Sequence, residues 1–185
     1  MARFEIKDGK IQSFEHEPFT GEAAMHNLLK EHPTIIDKDM FIVGSEVPTK
    51  DGKSIDLLGI DKDGRIIIIE IKQKSAEPRK VIAQIIDYAE WVREGVGIDE
   101  LNKIGQEKKT IDGNRSITAK FEKEFNQPLD GTTEEPRLYI VSEKINDDTK
   151  RMAKFLRSYG LDLSCIELVK EHSTNENTVS VIPNY

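Results

Sequence analysis

The chain has 185 residues, 37% of them hydrophobic and 33% charged, with a formal net charge of −7. That length suits one domain with a sizeable core and is short for two. No apolar run approaches the roughly 20 residues of a membrane span. The single cysteine, Cys165, excludes a disulfide framework and an all-cysteine metal site, and the acidic balance argues against a passive nucleic-acid coat.

The start, Met1-Ala2-Arg3-Phe4-Glu5, carries no apolar leader, so a cytoplasmic protein without a membrane partner is expected. Residues 3–6 and 11–14 flank Lys7-Asp8-Gly9-Lys10, a hairpin signal. Thr20 is placed to cap a helix running to about Glu31, with Met25, Leu28, Leu29 and His32 as its stripe and Pro33 as its stop. Residues 41–47 read as a strand, 48–52 as a turn, 54–60 as a strand, 61–64 as a tight turn and 65–72 as a third strand. Short turns make these three an antiparallel meander.

A helix follows over about 78–93, with Pro78 in its first turn and Val81, Ile82, Ile85, Ile86, Ala89 and Val92 at helical spacing. Residues 98–131 are polar with two weak amphipathic patterns, Ile98, Leu101 and Ile104, then Ile117, Phe121 and Phe125. They read as a helical insertion, at about 96–134, in a single domain spanning 1–185. A strand over 137–141, a helix capped by Asp147 or Asp148 with Met152, Phe155, Leu156 and Tyr159, a strand over 162–169 and a last edge strand over 178–182 complete the chain. The fold class is α/β: a mixed sheet, an antiparallel meander plus a parallel strand, flanked by helices. A right-handed crossover through the 78–93 helix would make the 65–72 and 137–141 strands parallel.

The chemistry gathers in the hairpin of residues 54–72. Its turn, Asp61-Lys62-Asp63-Gly64, suits a type I turn with glycine left-handed, which pairs Asp61 with Arg65 and, counted back, Asp56 with Glu70. Directly opposed Cβ atoms lie about 4.5–5.5 Å apart. Two carboxylates so placed repel unless a cation separates them, and Mg²⁺ is commonly held by one or two carboxylates with phosphate and water. Lys72, two residues past Glu70, projects from the same face. The plain alternative is an interstrand salt bridge, with Lys72 neutralising the pair.

Asp56-Leu57-Leu58-Gly59 and Glu70-Ile71-Lys72, separated by one hairpin, resemble the PD-(D/E)XK nuclease superfamily. Gln84-Ile85-Ile86-Asp87-Tyr88 looks like the glutamine-x-x-x-tyrosine motif of its RecB-type branch, and Glu22 matches the acidic residue many members place in the preceding helix. The stretch from Glu22 to Trp91 is similar to archaeal NucS/EndoMS-like nucleases. Ile55 stands where the superfamily's eponymous proline would be, and the resemblance gives the polar insertion no role.

The resemblance implies a restriction-endonuclease-like sandwich and a metal-dependent nuclease, an endonuclease acting on DNA before RNA. Asp56 and Glu70 would hold Mg²⁺ or Mn²⁺ with Glu22 in support, Lys72 would serve catalysis, and Gln84 and Tyr88 would orient the substrate. Lys74 and Arg79, in the basic cluster Lys72, Lys74, Arg79 and Lys80, would meet nucleic acid; as a run alone that cluster is a solvated face. So is a second one, Lys103, Lys108, Lys109, Arg115, Lys120 and Lys123. Glu22 could equally favour a helix N-terminus, and Gln84 and Tyr88 could be satisfied polar residues at the core edge. A homodimer is the assembly expected of a double-strand cutter.

Other constellations fall away. Asp61-Lys62-Asp63-Gly64 lacks the later acid of a calcium loop, and His16, His26, His32 and His172 have no zinc-type spacing. Cys165 reads as a small core residue, and no glycine-rich phosphate loop occurs. Two other functions stay open: a catalytically silent nucleic-acid-binding or regulatory module on the same fold, and an α/β interaction domain with a salt bridge between strands.

Overall fold

The computed structural model describes residues 3–7, 10–50, 52–73, 76–111, 116–172 and 177–184. The Asp8-Gly9 turn, Lys74 and Arg115 lie outside the described residues. In chain order the elements are β1 (Arg3–Lys7), β2 (Lys10–His16), α1 (Glu22–Glu31), β3 (Met40–Pro48), β4 (Ser54–Asp61), β5 (Arg65–Ile71), α2 (Pro78–Arg93), α3 (Ile98–Glu107), α4 (Ile117–Phe125), β6 (Thr133–Ser142), α5 (Asp147–Ser158), β7 (Leu163–His172) and β8 (Asn177–Asn184). A 3-10 turn at Pro33–Ile35 follows α1.

All strands join one mixed sheet in the order β1-β2-β7-β6-β5-β4-β3, with β8 on β7. The β3-β4-β5 meander is antiparallel, and β5-β6 and β6-β7 are parallel. The crossover strand is therefore parallel to β5, as the sequence leads one to expect.

Why the chain folds this way is clearest in β5. A parallel neighbour and helices on both faces bury a strand twice over, which favours an unbroken apolar run. Ile66, Ile67, Ile68 and Ile69 are all fully buried. They alternate between two cores: Ile66 and Ile68 join Leu58 and Ile60 beneath α2, while Ile67 and Ile69 join Leu57 and the α1 residues Met25 and Leu29. Leu101 and Ile104 of α3, with Ile117 and Phe121 of α4, lie in the larger core, so this polar stretch is tied to the sheet through its few apolar residues.

Several local expectations are corrected. The N-cap of α1 is Gly21, at φ 101°, and not Thr20. On that helix Met25 and Leu29 are buried, Leu28 is half-buried and His32 is exposed. Asn146, whose side chain accepts from the Asp148 N–H, caps α5 in place of Asp147 or Asp148. Ile86 is 38% exposed, and Phe155 and Tyr159 face solvent at 60% and 77%. The buried face of α5 is carried by the small residues Thr149 and Ala153, flanked by Met152 and Leu156.

Candidate active site

The β4–β5 ladder runs from Ile60–Ile66 to Leu57–Ile69, the register the turn sets. The turn itself has Gly64 at φ 76° with its N–H on the Asp61 carbonyl. One step past the last pair, the Asp56 carboxylate accepts the Ile71 N–H at 2.7 Å through Oδ2. A side chain thus occupies a place where a strand carbonyl would ordinarily act, and the two strands part at their charged residues.

Glu70 is fully buried. Lys72 Nζ lies 2.5 Å from its Oε1, an ion pair, while Oε2 has no hydrogen-bond partner among the described residues. Burial first, and the Asp56 charge second, push the Glu70 carboxyl up to about 7. Burial also raises Asp56, against the pull of the Ile71 N–H, Lys72 and His26. Lys72 is raised as well: burial works against its ammonium, but the hydrogen bond to Glu70 and the charges of Glu70, Asp56 and Glu22 outweigh it and hold it protonated.

Glu22, the first residue of α1, accepts the Gln73 N–H through Oε1 at 2.7 Å. It thereby reaches the chain just past β5 and acts electrostatically on Asp56, Glu70 and Lys72. Tyr88 of α2 is 1% exposed, and its hydroxyl donates to the Ser54 carbonyl at 2.6 Å while accepting from Gln84 Nε2 at 2.6 Å. It stands in the wall behind the carboxylates, and its surface exposure is too small for it to lie along a bound strand. Arg79 is exposed in the first turn of α2. Val81 of that helix, with Lys72, Gln73, Ser142 and Asn146, lines a small cleft at the same end of the sheet.

Asp56, Glu70, Lys72 and Glu22 are thus brought to one end of β4 and β5, with Gln84 and Tyr88 behind them. Sequence reasoning missed His26, whose Nε2 lies 3.1 Å from the Asp56 carbonyl oxygen. Its position one turn after Glu22, on the same helical face, was the available signal.

Whether these residues fit a cation is decided by Glu70. A fully buried carboxylate with an unpartnered oxygen beside a second carboxylate is costly, and a divalent ion supplies the missing partner and reverses the repulsion. The residues fit. Among the described residues no three of His, Cys, Asp and Glu close into a ready-made cage. Two carboxylates, completed by phosphate and water, suit Mg²⁺, which keeps several waters.

The sheet, its parallel crossover and this acid–acid–lysine group are the layout that the PD-(D/E)XK resemblance implies. The sequence matches the family described as Endonuclease NucS C-terminal domain over residues 21–126, a stretch that takes in α1 through α4. The chain belongs to that family. It is 33% identical over 87 residues to Endonuclease NucS of Pyrococcus abyssi, and 34% identical over 89 residues to that of Thermococcus kodakarensis. Those stretches cover 46% and 48% of this chain and 34% of each relative, so the chain spans about a third of the relatives' length in the match. Among solved structures, an EndoMS–dsDNA complex aligns with a TM-score of 0.49 at 18% identity, covering 90% of this chain and 64% of the other. A repair endonuclease from Pyrococcus abyssi aligns with a TM-score of 0.45 at 19% identity, covering 90% and 65%.

Proposed function

We propose that the chain is a divalent-metal-dependent endonuclease that hydrolyses phosphodiester bonds in DNA. The observation that carries this reading is the buried Glu70 carboxylate, with Oε2 unpartnered among the described residues, beside Asp56 at the parted ends of β4 and β5. Membership of a family named for an endonuclease supports it, as do relatives carrying that name.

Asp56 and Glu70 would hold Mg²⁺ or Mn²⁺, with Glu22 behind them. When bound, such an ion polarises a phosphoryl oxygen and lowers the pKa of a coordinated water. Everything else falls to the chain. Lys72 keeps its proton, and it would set a positive charge beside the phosphate as the pentacoordinate transition state gains negative charge. The Ile71 N–H fixes the Asp56 carboxylate, leaving Oδ1 for a ligand. The Gln84–Tyr88–Ser54 chain braces α2 against β4 and so fixes the wall of the site. Arg79, exposed in the first turn of α2, would take a backbone phosphate. Cutting both strands of a duplex in one encounter would take two such sites, which a homodimer would supply.

The test is cleavage of labelled linear, single-stranded, mismatched and branched DNA, and of RNA, in Mg²⁺ or Mn²⁺ with an EDTA control. Wild-type protein should cut DNA only with metal. Glu70→Ala should abolish the cuts without unfolding the protein, and Lys72→Ala should slow them about 10²–10³-fold. Full activity in Glu70→Ala would sink the assignment.

A further inference from the structure

The outer face of α5 has no part in the site described so far. Thr149 and Ala153 turn inward, so Arg151, Lys154, Phe155, Ser158 and Tyr159 face solvent. Phe155 and Tyr159, 60% and 77% exposed, lie with ring centroids 4.9 Å apart at an interplanar angle of 53°. A soluble domain rarely leaves two adjacent rings in water without use for them.

The surrounding charge indicates what the rings are for. In a chain of net charge −7, α5 carries Lys150, Arg151, Lys154 and Arg157 against Asp147 and Asp148. Lys150 is paired with Glu167 at 2.9 Å and Arg157 with the Ser164 hydroxyl at 3.0 Å, whereas Lys154 has no ion pair among the described residues and Arg151 holds only the exposed Asp148 at 3.0 Å, a partner that a phosphate can replace. Basic groups beside exposed rings suit a polyanion with flat, unstacked faces. Bases in an intact duplex are held in a continuous paired stack; those of a single strand stack only in part and can turn a face onto a side chain. The helix is also continuous with the cleft, because its cap, Asn146, and its Thr149 line that cleft together with Lys72. Nine helical steps lead from Asn146 to Phe155 and thirteen to Tyr159, which places the rings roughly 14 Å and roughly 20 Å from the cleft edge along the helix axis.

We propose that the outer face of α5 is a docking surface for single-stranded nucleic acid, with bases stacked on Phe155 and Tyr159 and phosphates on Arg151 and Lys154. This rests on the nuclease reading for its substrate class and adds the element that holds an unpaired segment next to the cleft.

Fluorescence anisotropy in EDTA, where cleavage cannot occur, tests it with a short fluorescein-labelled single-stranded DNA and its duplex. The double variant Phe155→Ala/Tyr159→Ala removes only exposed rings and should keep its thermal midpoint. It should bind single-stranded DNA about tenfold or more weakly, with a smaller change for the duplex. Lys154→Gln should reduce the slope of log affinity against log salt by about 0.7 on single strands. Unchanged single-strand affinity in the double variant overturns the proposal while leaving the cleavage test untouched. A wild-type dimer that becomes a monomer in the double variant, with DNA affinity retained, also overturns it and makes the face a contact between copies. Failure of the wild type to bind either probe overturns this proposal, and cleavage with metal then shows separately whether the nuclease reading survives.

Discussion

Glu70 is the residue on which chemistry and stability conflict. Its carboxyl is pushed up to about 7, chiefly by burial and then by Asp56, from an ordinary value near 4.5. A group raised in the folded state favours folding below its unfolded value, and that contribution is lost as the pH rises through the folded one. Metal-free protein should therefore lose on the order of 2–3 kcal/mol between pH values near 4.5 and those above about 7. Glu70→Gln should flatten that dependence and melt higher than wild type at alkaline pH in EDTA. Thermal melts across the pH range check this, and a wild type whose midpoint rises steadily with pH through that window would contradict it. At this scale the site was legible because its residues sit two apart on one strand or opposite one another on two. His26 could be placed on the face of Glu22 by its spacing, but its partner could not be read, because the contact is with the Asp56 backbone carbonyl and spacing does not report which carbonyl a ring nitrogen will meet.

At the scale of elements, Gly59 shows why the motif strand holds a glycine. A Cβ there would lie 2.7 Å from Met40 Cε and 2.9 Å from the Phe41 carbonyl oxygen across the β3–β4 pair. The methionine end can move, but the backbone oxygen cannot without shifting the ladder. Gly59→Ala should cost about 1–3 kcal/mol in urea unfolding and should weaken cleavage too, since β4 carries Asp56. A neutral result would mean that the two strands yield more easily than their packing implies. The limits of α2, Pro78–Arg93, could be read from sequence because Pro78, the apolar spacing and the glycines beyond agree. The orientation of α5 could not. Met152, Phe155, Leu156 and Tyr159 have a helical period, but periodicity reports spacing and not the width of the surface waiting for it. Small residues let α5 sit close on its inner face, and the two rings were left outside. Likewise Gly21 took the cap of α1 from Thr20 because the chain enters there at positive φ, which no propensity scale anticipates.

For the whole molecule, the end of the sheet away from the carboxylate pair is fastened by charge. Arg137 of β6 reaches Asp37 at 2.7 Å, Asp162 at 3.2 Å and Asp61 at 3.5 Å, and Arg65 meets Asp162 at 2.6 Å. One guanidinium thus joins the approach to β3, the end of β4 and the start of β7. Asp61 is 2% exposed, and its Oδ2 has no other partner among the described residues. Arg137→Ala should destabilise by about 3–5 kcal/mol by stranding that carboxylate, and adding Asp61→Asn should recover part of the loss. Chemical denaturation of the single and double variants checks this; strictly additive losses would show that the two residues are not coupled. None of this network was visible in the sequence, where Asp61 reads as a turn residue and Arg137 as the edge of a strand. The β3-β4-β5 meander and the parallel β5–β6 pairing were visible, because short turns fix a meander and a helical crossover fixes a parallel neighbour; the joining of β2 and β8 to β7 was not, since no short turn or crossover ties β2 to β7 in sequence.

The proposed endonuclease depends on Asp56 and Glu70 holding a divalent cation together. Calorimetric titration of Mn²⁺ into the metal-free protein tests it directly, with Asp56→Asn and Glu70→Gln alongside. Saturable binding to the wild type that both substitutions abolish is expected, with proton release at mildly acidic pH as Glu70 gives up its proton. No binding, or binding that survives both substitutions, would leave Lys72 and Glu70 as a buried ion pair and nothing more.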